Sequence, residues 1–62
     1  MQTLSIFFND ENNFNEALKI LNTKNFDVFL LNITINCNEL KAENILFDLE
    51  FNNIKYKEVN FY

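Results

Sequence analysis

A chain of 62 residues with one cysteine and no histidine cannot be stapled from within. Cys37 has no partner for an internal disulfide, and no zinc site of ordinary ligand type can be built from one thiol without imidazoles. A domain of this size buries only ~60 % of the surface its unfolded form exposes, so its core is marginal. Self-association or partner binding is therefore the expected additional stabiliser. Cys37 itself is read as a small buried hydrophobe in a reducing compartment.

Glycine and proline are also absent, while asparagine occurs thirteen times. Without glycine, neither a phosphate-cradling loop nor a dinucleotide fingerprint exists in its ordinary form. Asn, Lys, Ile, Phe and Tyr have A/T-rich codons, so the skew points to an AT-rich genome rather than to a function. The asparagines are scattered among periodic apolar residues, which argues against an aggregating Asn tract. Asn32-Ile33-Thr34 matches the glycosylation sequon, but no signal peptide precedes it and it is taken as chance. The longest apolar stretch, Val28 to Leu31, is far short of the ~20 residues of a membrane helix. A cytoplasmic protein without membrane contact is expected.

No repeat or linker interrupts the chain, so residues 1–62 are read as one domain. Thr3 to Phe8 alternates as a half-buried strand does, with Leu4, Ile6 and Phe8 on one face. Asn13 with Glu16 has the form of a capping box, and Phe14, Ala17, Leu18 and Leu21 form one stripe of a helix running to about Thr23. Asn25 is placed where a glycine would usually end such a helix. Phe26 to Cys37 reads as a long strand with Phe29, Leu31, Ile33, Ile35 and Cys37 on one face. Asn38 to Asn44 reads as a polar connection with room for one helical turn.

Ile45 to Phe51 and Ile54 to Phe61 both alternate around Asn52-Asn53, a pair that tolerates the positive φ of a tight hairpin turn. The implied register sets Phe51 opposite Ile54, Leu49 opposite Tyr56, Glu50 opposite Lys55 and Asp48 opposite Lys57. The expected fold class is α+β in β-α-β-β-β order: a four-stranded, mostly antiparallel sheet with one helix on one face. The second face would then carry Phe7, Val28, Leu30, Leu46, Val59 and Phe61, and such a patch marks a partner or homodimer interface.

The net charge of −4 and the five dispersed lysines argue against direct nucleic-acid binding. With no histidine or arginine, and little room for a pocket, no catalytic site is expected, nor a cofactor or metal. The acidic group Asp10, Glu11 and Glu16 is read mainly as helix N-terminal electrostatics rather than a cation site. Together with Asp48 and Glu50 it would complement the basic nucleic-acid channel of a target enzyme.

Small size, acidity and the lack of a catalytic inventory are the profile of short phage or mobile-element inhibitors of the anti-CRISPR or anti-restriction type. The likeness is one of class, carried by no motif. The alternative expectation is a homo-oligomeric structural or regulatory subunit, antitoxin-like, whose main surface is the one it shares with itself.

Overall fold

Leu4 and Ile6 alternate with Thr3, Ser5 and Phe7 along β1 (Thr3–Phe7), and this strand lies inside the sheet of the computed structural model, which describes residues 2–62. It pairs antiparallel on one side with β3 (Asn32–Asn36) and on the other with β4 (Glu58–Phe61). The short β2 (Phe26–Asp27) pairs with β3, giving the order β2-β3-β1-β4. α1 (Glu11–Leu21) joins β1 to β2, and α2 (Glu39–Phe51) joins β3 to β4. The resulting β-α-β-β-α-β order is the split β-α-β plan, also called ferredoxin-like.

The register decides which side chains share a face. Leu4 lies between Ile35 and Phe61, and Ile6 between Ile33 and Val59. These residues meet Phe14 and Ala17 of α1 and Ala42, Ile45 and Leu49 of α2 in one core, so both helices cover the same face of the sheet. Cys37 is a free, buried thiol in that core. Phe8 and Phe14 meet edge to face at 6.0 Å, as does Phe14 with Phe26.

The α+β class and the four-stranded antiparallel sheet stand, but the order and the number of helices differ from the expectation. The C-terminal hairpin is not formed. Residues 39–51 are a helix because Asn38 caps it, accepting a hydrogen bond from the Lys41 amide at 2.9 Å, and Glu-Leu-Lys-Ala-Glu that follows is rich in helix formers. Asn52-Asn53 is therefore the exit from a helix, and none of the four cross-strand pairs exists as strand pairing. Only Glu58–Phe61 remains a strand, and it pairs with β1 rather than with its chain neighbour.

The long central strand is also divided. Asp27 accepts hydrogen bonds from the amides of Phe29 (2.9 Å) and Leu30 (3.2 Å), and Leu31 takes a left-handed conformation with φ 50°. Residues 28–31 are therefore a turn between β2 and β3. α1 begins earlier than expected, with Asp10 rather than Asn13 as its cap, and it ends on left-handed Asn22 rather than near Asn25. Asparagine does the work of glycine at a helix end, three residues before the expected place.

Candidate interaction surface

The uncovered sheet face is not the apolar surface that the sequence suggested. It carries Thr3, Ser5, Phe7, Asn32, Thr34, Asn36, Glu58 and Asn60, and much of its polarity is satisfied internally. Asn32 donates to the Ser5 hydroxyl at 2.9 Å, Thr34 donates to Asn32 at 3.0 Å, and Asn60 donates to Glu58 at 2.9 Å. Of the six apolar residues expected there, only Phe7 lies on that face, half-buried. Val59 and Phe61 point to the helix side, Leu46 is half-buried on α2, and Val28 and Leu30 stand in the β2–β3 turn. The cause is the helix at 39–51: it puts Glu58–Phe61 in the opposite facing from that of a hairpin partner.

Exposed apolar surface is concentrated elsewhere, first on α2. Side chains two residues apart on a helix lie ~200° apart, so the alternating Ile45, Phe47, Leu49 and Phe51 divide into two opposite stripes. Ile45 and Leu49 enter the core with Ala42. Phe47 and Phe51 project outward with Leu40, at 65 %, 78 % and 67 % exposure. The two rings stack at 6.3 Å with 24° between their planes. By helical position Glu39, Glu43 and Glu50 border this stripe on one side, and Lys41 and Asp48 on the other.

The β2–β3 turn is the second exposed apolar feature, with Phe29 94 % exposed between Val28 and Leu30. Since Phe7 pairs with both Asn32 and Glu58, this turn lies at the same end of the sheet as the start of α1 and the link from α2 to β4. Asn13 ties that end together by accepting the Lys55 amide at 3.0 Å.

The five carboxylates singled out from the sequence are all exposed, but they do not form one cluster. Asp10 is occupied with the amide and side chain of Asn13 at 2.8–3.1 Å. Glu11 lies in the first turn of α1, and Glu16 pairs with Lys19 at 3.6 Å. Asp48 and Glu50 lie on α2. Glu50 also borders an open cavity of about 360 Å³ with Asn53, Ile54, Lys55 and Tyr56. Burial, then the charge of Glu50 and the hydrogen bond it accepts, hold the Tyr56 phenol above its usual pKa, so it is protonated at neutral pH.

Among the described residues no three thiols or carboxylates converge to hold a metal, and no helix is long and apolar enough to cross a membrane. The sequence reading missed Leu40, Phe47, Phe51 and Phe29 as surface groups. Leu40, Phe47 and Phe51 are spaced i, i+7, i+11, a helical signal that the alternation in the same segment obscured. Compared with protein-family models, with curated proteins and with solved structures, the chain shows no significant match to any of them.

Proposed function

We propose that the chain is a stoichiometric protein-binding module, not an enzyme, and that it acts by covering a basic surface on a nucleic-acid-handling enzyme. The observation that carries this reading is the second apolar stripe of α2, Leu40, Phe47 and Phe51, held in solvent by a helix whose opposite stripe is in the core. Large apolar side chains at fixed spacing on a rigid element are what interface anchors require, and each contributes ~1.5–3 kcal/mol when buried. Glu39, Glu43 and Glu50 beside them, with a net charge of −4, favour a partner rimmed by lysine and arginine. Phage or mobile-element inhibitors of the anti-CRISPR or anti-restriction type have this combination of small size, acidity and occluding action.

The test is a titration against a panel of RNA-guided and restriction nucleases at low salt, reading cleavage and co-elution. A susceptible enzyme is inhibited at about one-to-one stoichiometry, and Phe47→Asp weakens inhibition by a factor of ~10 or more while circular dichroism is unchanged. A panel in which no nuclease changes activity or co-elutes removes the reading.

A further inference from the structure

The free edges of the sheet are unequal, and the difference points to a second copy of this chain. The β2 edge is two residues long and ends in the Asp27-capped turn. β4 is the other edge, and it contains no proline to blunt it. Thr3 and Tyr62 exchange both main-chain hydrogen bonds, at 2.7 and 3.0 Å. Antiparallel ladders alternate, so Glu58 and Asn60 turn their backbone groups toward β1, whereas the amides and carbonyls of Val59 and Phe61 point out of the sheet. An outward row of this kind is chemically specific for an extended strand.

We propose that β4 is the seam of a homodimer in which two copies pair antiparallel about a two-fold axis at Asn60. The registers are not equivalent. With the axis at Asn60, Val59 and Phe61 of each copy meet Phe61 and Val59 of the other as two reciprocal hydrogen-bonded pairs. These side chains are half-buried on the helix side, and the partner strand covers them further. On the other face Glu58 meets Tyr62 and Asn60 meets Asn60, so no like-charged side chains are opposed. An axis at Glu58 opposes two carboxylates. An axis at Val59 calls on the Lys57 amide, which already donates to the Phe7 carbonyl at 2.7 Å. An axis at Phe61 leaves Val59 without a partner among these residues. The seam is short and both copies are acidic, so association depends on concentration and strengthens with salt. It is independent of the α2 stripe, and variants at Phe47 leave it intact.

Light scattering across a dilution series and disulfide trapping test the seam together. At the axis Asn60 forms a non-hydrogen-bonded pair with Cα atoms ~4.5 Å apart, within disulfide reach, whereas Glu58 faces Tyr62. Under mild oxidation Asn60→Cys is expected to cross-link at least ~10-fold faster than Glu58→Cys, with Cys37 buried in both. Adding Val59→Pro, which removes an outward amide at an edge position that tolerates proline, returns the Asn60→Cys rate to that of Glu58→Cys. A monomeric mass at every concentration overturns the proposal, as does a dimer in which Asn60→Cys cross-links no faster than Glu58→Cys. The comparison of those two exposed sites holds even where the proline variant fails to fold.

Discussion

The two helices cover the same core with different economy. α1 places Phe14, Ala17, Leu18 and Leu21 on a single stripe and gives its other side to Asn12, Asn15, Glu16 and Lys19, so its apolar residues are accounted for mainly by folding. α2 carries a buried stripe of Ala42, Ile45 and Leu49 and an exposed one of Leu40, Phe47 and Phe51. One apolar stripe is sufficient to hold a helix on a sheet. The second stripe of α2 adds nothing to this core, and the proposed contact rests on that difference from α1.

The largest expected effects are in the core, where the two helices should behave alike. Phe14→Ala on α1 should cost ~3–5 kcal/mol and Leu49→Ala on α2 ~2–5 kcal/mol, read by urea denaturation. Phe51→Ala, two residues beyond Leu49 and so on the outward side, should stay within ~0.5 kcal/mol. A Phe51 loss as large as that of Leu49 would break the distinction between the stripes.

Smaller effects separate the helix ends. Asp10→Ala and Asn38→Ala each remove a side-chain acceptor at a helix start and should cost ~1 kcal/mol. At the other ends both helices use a left-handed asparagine, but α2 places it one residue later: Asn22 has φ 49° directly after α1, whereas Asn52 has φ −92° and Asn53 φ 58°. Asn22→Ala should cost ~1 kcal/mol more than Asn22→Gly, while alanine and glycine at Asn52 show no such left-handed penalty.

The smallest effect is a pH dependence confined to the end of α2. The folded state holds the Tyr56 proton more tightly than the unfolded chain, whose phenol titrates near 10. This contribution is fully present below pH ~10 and is lost as pH rises through the folded value. Tyr56→Phe should make stability fall less steeply above pH ~10, and Glu50→Gln should reduce the same slope. An unchanged slope in both variants would separate Tyr56 from the alkaline transition.

The legible parts of the fold are those where one periodicity operated alone. Leu4 and Ile6 were readable as the buried side of a strand, and Phe14 to Leu21 as one face of a helix, because no competing pattern occupied those residues. At Ile45 to Phe51 two patterns coexisted: a spacing of two, consistent with a strand, and the i, i+4 relation of Ile45 to Leu49, consistent with a helix. The same alternation hid Phe47 and Phe51 from the site. At Val28 to Leu31 a run of apolar residues concealed a turn, since Leu31 takes the left-handed conformation more often supplied by glycine or asparagine.

By itself, the sequence determined the absence of internal staples, the acidity, the α+β class, the first strand and the first helix, all of which follow from residue inventory or from local periodicity. Tertiary structure decided that Ile45 to Phe51 is helical, that Glu58–Phe61 pairs with β1, and that the open sheet face is polar. Local sequence cannot distinguish a strand from a two-sided helix when both bury Ile45 and Leu49. The choice rests on which conformation closes the core around Leu4, Ile6 and Ile33, and Leu4 and Ile6 lie far from α2 along the chain.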